Sequence, residues 1–362
     1  MVENSGRLNS NLRIIHITES LGGGVLNSMI GLIETQNLDN CHTEIHYVAR
    51  SDTPTLNELK DLFGKQTKLT CHGRSNLTNL ISLFKVIKNS HSDSDIIHLH
   101  SSKAGLLGRI MLRKVSNLFY SPHAFAFTRK DISTILRVLY RWLEYLSDRG
   151  SNCKTLGVSK HESLLATQLK FHEVATLYNF IADPVLQFEI SIATYDMRSI
   201  DVCNLARFSA QKNPERFSRV HGMMSNPGKW VWIGAGNSQS FKNKTDLEIT
   251  GWKSRTDSMK YLNNSKVFLS TSDWEGLSMS LIEAQMMGLP AIAWDIPSNR
   301  EIILNGESGY LCTSETEMAL RIYQILSDKS LWNYLSLNAR KNAISNFEKS
   351  NNKQAWKIAY FE

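Results

Sequence analysis

Short, continuous apolar runs alternate with helical stretches along this chain, stop, and then start again, and few architectures accept such a pattern. In the first half, 12–18, 44–49, 95–100, 119–123 and 155–159 read as strands. From Pro184 to Ser199 the composition turns irregular, which reads as a linker. The second half repeats the alternation with strands at 200–206, 230–234, 247–251, 267–271 and 291–294. Strands interleaved with helices predict parallel sheets in α/β layers. The expectation is two doubly wound domains, 1–183 and 184–345. A helical tail, 346–362, carries the late apolar anchors Trp356 and Tyr360 and can pack back on the first domain. Ligands of such sheets bind beyond the carboxyl ends of the strands, and two such domains would close on a ligand from both sides.

Composition removes several function classes. The 362 residues, 42% hydrophobic and 21% charged, suit a soluble globular protein with a sizeable core. No stretch approaches the roughly 18 apolar residues that cross a bilayer, and the polar first ten residues lack the apolar region of a secretory signal. Five cysteines stand singly at 41, 71, 153, 203 and 312. That pattern fits reduced thiols in cytoplasm and argues against a disulfide framework or a zinc site. A net charge of +7 favours anionic partners. With no basic run interleaved with aromatics, nucleic acid is not expected. An anionic membrane surface fits, as do a negatively charged donor and acceptor; so does a mere contribution to solubility.

The densest chemistry lies in 266–290. A strand-like run to Thr271 leads through Asp273-Trp-Glu275-Gly276 into a helical pattern that stops at Gly288, with Pro290 beyond. A helix entered straight from a strand presents free N–H groups and the positive end of its dipole, a seat for phosphate. Glu275 would sit at its mouth and Glu283 deeper in the helix. Two solvated glutamates on an ordinary loop fit the same letters. Arg207, emerging where a strand ends, and Lys212, just before a helix starting near Pro214, would bracket a diphosphate. Gly22 to Gly24 follow a strand and precede a helix from Leu26; they suit either backbone approach to a pyrophosphate or a strained turn, and Asn27 breaks the dinucleotide fingerprint. His123 follows a strand in an aromatic segment, fit for a structural hydrogen bond or for a substrate. His98 and His100 share one strand face, but no third histidine or carboxylate is evident to complete a metal site. Asp93 and Asp95 read as a turn at a strand boundary rather than a metal pair. The helical stretch 131–146, with Arg129, Lys130, Arg137, Arg141 and Arg149 around it, suits either an anionic membrane or a cover for the first sheet.

These residues resemble retaining glycosyltransferase family 4. The likeness rests on Ser272-Asp-Trp-Glu275-Gly276 through Glu283-Ala284 to Gly288-Leu-Pro290, on Pro297 to Leu311, and on Asn204 to Pro214, which lacks the family's glycine before Arg207. It extends from about Ile14 to Tyr310. It implies the GT-B fold, two Rossmann-like domains facing a central cleft, with acceptor in the first and nucleotide sugar in the second. It further implies that Glu275 faces the donor sugar and His123 hydrogen-bonds it, while Glu283 holds the ribose hydroxyls. Gly23 and Gly24 would lie over the donor phosphates. Arg207, Lys212 and the N–H groups at Leu277, Ser278 and Met279 would stabilise the leaving diphosphate, and Gly251 with Trp252 would frame the base. The segments around Ser101 to Arg109 and Pro122 to Phe127 resemble bacterial enzymes that build O-antigen or capsule on lipid carriers. The expected activity is metal-independent, retaining transfer from a UDP- or GDP-sugar to a saccharide or polyprenyl-diphosphate-linked acceptor. The expected place is the cytoplasm, peripheral on the inner face of the membrane. A sugar-nucleotide epimerase of the same fold is the alternative, or a catalytically silent subunit that binds sugar nucleotides; a dehydrogenase is disfavoured by the broken glycine fingerprint.

Overall fold

The structure, a computed structural model, describes residues 12–19, 21–235 and 247–362; the polar opening segment lies outside the described residues. The chain divides into two compact units. One comprises residues up to 128, 132–181 and 352–362, the other 129–131 and 182–351.

The first unit carries a parallel sheet in the order β3-β2-β1-β4-β5-β6-β7. Its strands are β1 (Arg13–Thr18), β2 (His42–Ala49), β3 (Lys68–Arg74), β4 (Ile96–His100), β5 (Leu118–Ser121), β6 (Lys154–Gly157) and β7 (Glu173–Thr176). Its helices are α1 (Gly23–Leu38), α2 (Leu56–Phe63), α3 (Leu77–Ser90), α4 (Ser102–Met111), α5 (Thr134–Arg149) and α6 (Lys160–Gln168). The central strands β1 and β4 are buried almost throughout, as expected of apolar runs covered on both faces. Of the outermost strands, β3 is half exposed and largely polar, and β7 is short and only partly buried. That is why neither stands out in the sequence, since edge strands avoid long apolar runs.

The second unit repeats the plan with the order β10-β9-β8-β11-β12-β13. Its strands are β8 (Ile200–Leu205), β9 (Trp230–Ile233), β10 (Leu247–Ile249), β11 (Ser265–Ser270), β12 (Ala291–Trp294) and β13 (Gly309–Cys312). Its helices are α7 (Pro184–Gln187), α8 (Pro214–Gly222), α9 (Arg255–Asn263), α10 (Met279–Met286), α11 (Pro297–Arg300), α12 (Glu315–Ser327) and α13 (Lys329–Phe347). Trp230 and Trp232 lie fully buried against Phe217, and each indole N–H is satisfied by a backbone carbonyl, Pro227 at 2.6 Å and Ala206 at 2.7 Å. The stretch 184–199 is no free linker. Arg198 is buried and its guanidinium donates to the carbonyls of Ala193, Leu262, Ser265 and Met287, which fastens the stretch to the second sheet.

The last helix, α14 (Ala355–Phe361), belongs to the first unit. Trp356 and Tyr360 are buried with Ile14, Leu32 and Phe119, and Asp39 accepts from the Trp356 indole at 3.1 Å and pairs with Lys357 at 2.9 Å. Burying two such aromatics stabilises the docked helix by several kcal/mol, at ~2 kcal/mol for each.

Helix α5 does not cover the sheet with its apolar face. Its buried residues are Glu144, Ser147 and Asp148, while Ile135, Val138, Leu139, Trp142 and Leu146 are exposed. The inward polar face exists for Arg109 of α4, which is fully buried and ion-paired with Glu144, and for Tyr120, whose O–H donates to the Glu144 carboxylate at 3.1 Å. No helix among the described residues is long and apolar enough to cross a membrane.

Candidate active site

In the second sheet the strand order reverses between β8 and β11, the position where doubly wound sheets bind ligands. The loops leaving these two neighbours are tied together. Lys212 is ion-paired with Glu275, and Gln211 Nε2 donates to the other Glu275 oxygen at 3.1 Å and to the Trp274 carbonyl at 2.9 Å. Asp273 N–H donates to the Gln211 carbonyl at 2.9 Å, and Thr271 Oγ1 to the Lys212 carbonyl at 2.7 Å. Asn213 takes a left-handed conformation, φ 45°, where it caps α8 by accepting from Arg216 N–H at 3.0 Å. Two residues expected separately, Lys212 for phosphate and Glu275 for sugar, are thus partners in the free protein. Arg207 lies exposed just beyond β8.

Leu277 and Ser278 lead into α10, whose N-cap Ser278 offers no side-chain bond and whose first turn, from Met279, carries no acidic residue. That leaves the helix's opening N–H groups uncapped by any side chain, which suits an anion. Glu283, in the second turn, is 2% exposed. Arg255 Nη1 lies 2.7 Å from its Oε1, without the alignment of a hydrogen bond, so that oxygen keeps its capacity for a hydroxyl donor. Arg255 opens α9 behind the Ser254 N-cap. Its sequence signal was only a serine capping a new helix; nothing there pointed to Glu283. Gly251 sits at φ 71° in an isolated bridge with Gly234, and Trp252 is 73% exposed.

In the first unit the glycines differ from expectation. Helix α1 already starts at Gly23, so Gly23 and Gly24 form its first turn rather than a loop. A Cβ on Gly22 would meet the Asp52 carbonyl at 2.9 Å, whereas one on Gly24 would meet nothing within 4 Å. Packing explains the first glycine and not the second.

His123 ends a chain of imidazoles. Parallel register sets His16 of β1 opposite His98 of β4, so a third histidine does join His98 and His100, contrary to the reading of the sequence. The pairing of β1 with β4 is a register fact that no single strand reveals. The ring nitrogens of these three could hold a metal ion, yet all six are engaged. His16 bonds Gln36 at 2.8 Å and His100 at 2.9 Å; His98 bonds Tyr360 at 2.7 Å and Ser121 at 2.9 Å; His100 bonds His123 at 3.0 Å. Burial pushes His16 and His123 down to about 4 and holds His98 and His100 well below the ordinary imidazole range, so all four are neutral near pH 7. His123 and Ala124 both have positive φ, 51° and 79°, in the turn after β5. Buried Glu162 holds that turn, accepting from Ala124 N–H and, at 3.0 Å, from Val158 N–H. A small pocket is lined by Ser28, His98, His100, Ser121, His123 and Asn179. Asp95 accepts from Arg13 at 2.9 Å and from Ser92 N–H at 2.9 Å, the bonds of a turn before β4.

The neutral histidines set a pH dependence. Their folded values lie below the ordinary 6.5, so between pH 6.5 and about 4 the unfolded chain binds more protons and stability falls as pH falls. His16 alone should contribute a slope of ~1.4 kcal/mol per pH unit in that window. Urea midpoints measured from pH 7 to 4 should decline steeply, and less so in His16→Asn; a flat profile would contradict the buried neutral set.

Comparison with known proteins now bears on this arrangement. Residues 193–342 match the family model described as Glycosyl transferases group 1. An uncharacterized 41.2 kDa protein in the cps region of Klebsiella pneumoniae is 25% identical, over 94% of this chain and 96% of that protein. The UDP-Gal:alpha-D-GlcNAc-diphosphoundecaprenol alpha-1,3-galactosyltransferase of Escherichia coli is also 25% identical, over 93% of this chain and 94% of that enzyme. Among solved structures, Anabaena HepE in complex with UDP and glucose aligns over 96% of this chain and 99% of that one, with a TM-score of 0.75 at 16% identity. Residues 193–342 therefore form a glycosyl transferases group 1 domain, and the chain is a glycosyltransferase of the GT-B fold.

Proposed function

We propose that the protein transfers a hexose, with retention and without a metal ion, from a UDP-sugar to a hydroxyl of a saccharide carried on polyprenyl diphosphate. The carrying observation is the cluster at the switch point of the second sheet: Lys212 paired with Glu275, an uncapped α10 N-terminus, and the buried Glu283 beside Arg255. Cations and N–H groups would stabilise charge developing on the departing diphosphate, replacing a metal. The bond from the anomeric carbon to the β-phosphate oxygen breaks. The acceptor oxygen bonds to the same face, and its proton passes to the departing phosphate. Glu283 takes the ribose hydroxyls, Glu275 orients the sugar, and His123 hydrogen-bonds a sugar hydroxyl. Gly23 and Gly24 leave room for phosphate, Gly251 and Trp252 flank the base, and Arg207 adds charge. The relative that uses UDP-Gal and a GlcNAc-diphosphoundecaprenol supports this donor and acceptor class. The outward apolar face of α5, on a chain of net charge +7, supports a resting place on an anionic membrane surface.

The test is transfer from labelled UDP-hexoses and GDP-hexoses to a synthetic GlcNAc-diphospho-lipid, with and without EDTA, followed by proton NMR of the product's anomeric centre. An α-linked product from a UDP-hexose, unaffected by EDTA, is expected. Epimerised donor without transfer would favour the epimerase, and transfer only from GDP-sugars would refute the donor assigned.

A further inference from the structure

The hydrogen bonds around the buried histidines have a direction that can be read without seeing a proton. Ser121 Oγ lies 2.9 Å from the Leu156 carbonyl, which can only accept, so the hydroxyl's one proton is committed there. Ser121 Oγ must then accept from His98 Nε2–H at 2.9 Å. A neutral imidazole carries one proton, so His98 Nδ1 accepts from the Tyr360 hydroxyl at 2.7 Å. With its proton used, the Tyr360 oxygen accepts from the Gln36 amide nitrogen at 3.3 Å. That turns the Gln36 carbonyl oxygen toward His16, whose Nε2–H donates to it at 2.8 Å. His16 Nδ1 accepts from His100 Nε2–H at 2.9 Å, and His100 Nδ1 accepts from His123 Nε2–H at 3.0 Å. Each step is forced by the one before.

We propose that this relay, running from the Leu156 carbonyl through Tyr360 and Gln36, fixes His123 as its Nε2–H tautomer, so that Nδ1 meets the transferred sugar only as an acceptor. Gln36 and Tyr360 are positioning residues; neither touches the sugar. The inference rests on the reading of His123 as a sugar-binding group. It makes α14, more than two hundred residues further along the chain than His123, part of what selects the donor. A hydroxyl that donates is accepted at that point; a deoxy position or an ether oxygen is not. The relay also accounts for the three clustered histidines better than a metal does, because an ion there would have to break bonds that already engage every ring nitrogen.

Tyr360→Phe tests it. The ring keeps its stack on Phe119, 4.5 Å between centroids, while the hydroxyl that orients Gln36 is removed. In protein labelled with 15N-histidine, two-bond proton–nitrogen correlation reads each tautomer, with His123→Gln identifying the His123 signals. Expected are a bare Nδ1 and a protonated Nε2 on His123 in the unmodified chain, and in Tyr360→Phe a mixture in which the two nitrogen shifts converge. A fall in kcat of about tenfold with an unchanged KM for the UDP-sugar should accompany it. Adding Gln36→Glu to Tyr360→Phe should restore the tautomer, since a carboxylate can only accept from His16. A protonated Nδ1 in the unmodified chain overturns the proposal. So does an unchanged tautomer in Tyr360→Phe, even with lower kcat, which would reduce Tyr360 to packing. Stoichiometric zinc binding that shifts His16, His98 and His100 together would assign them to a metal instead. The spectra need no substrate, so the relay can fail or stand whether or not sugar transfer is found.

Discussion

Glu283→Gln is expected to weaken UDP binding by about a hundredfold, whereas Glu275→Gln should leave that affinity within about threefold and lower kcat by about a hundredfold. The split follows from where the two carboxylates sit. Glu283 is almost wholly buried in the second turn of α10, with Arg255 as its charged neighbour and one oxygen lacking an aligned donor. A carboxylate so placed can accept from two ribose hydroxyls, and charge-assisted bonds of this kind contribute ~1.5–3 kcal/mol each. The neutral amide keeps the volume but loses the charge, and it leaves Arg255 without its counter-ion. Glu275 is bound differently, through Lys212 and Gln211 at the mouth of the site. Its amide would release Lys212 and mis-set the loop when charge develops on the phosphate, so the loss falls on turnover. Isothermal titration with UDP and steady-state kinetics with the donor separate the two. Equal effects from both variants, or negligible ones, would remove the assignment.

What the letters disclose and what they withhold follows from the range of the interactions. Runs such as Arg13 to Thr18 and Ser265 to Ser270 are local statements, and a strand buried on both faces must be apolar along its length. The glutamates at 275 and 283 likewise lie within one strand-loop-helix unit, so their placement around the start of α10 was legible. The third histidine was not: His16 lies 82 positions before His98, and only the pairing of β1 with β4 brings them together. The same holds for Arg255 beside Glu283, and for Glu162 beneath the turn at His123 and Ala124. The edge strands β3 and β7 escaped because a short or half-exposed edge need not be a long apolar run. Helix α5 is a different case. Its period was plain, but a period does not say which face turns inward. That was decided by Arg109, a buried cation that recruits Glu144 and Asp148 to the inner side.

On the membrane docking proposed above, charging the outer face of α5 should lower binding to lipid vesicles without unfolding the protein. Ile135 and Trp142 are 81% and 57% exposed, so Ile135→Asp with Trp142→Asp removes no core contact and should leave thermal stability within about 1 kcal/mol. A folded protein rarely leaves so many large apolar side chains on one helix in water unless they meet another apolar phase. Each would gain ~1.5–3 kcal/mol on insertion among acyl chains. Arg137 and Arg141 lie on the same helix but on the side turned away from this face, so each adds less than the ~1 kcal/mol of a cation held at an anionic surface. Losing two anchors and adding two anions should therefore lower partition onto phosphatidylglycerol-containing vesicles by more than about a hundredfold in a flotation assay. Arg137→Glu with Arg141→Glu should weaken it less, and chiefly at low salt, because charges at the surface are screened while apolar insertion is not. Transfer to a short, water-soluble acceptor should survive both changes, while transfer to the vesicle-borne lipid should fall with partition. Unaltered flotation of the Asp variant would show that this face serves something other than the bilayer.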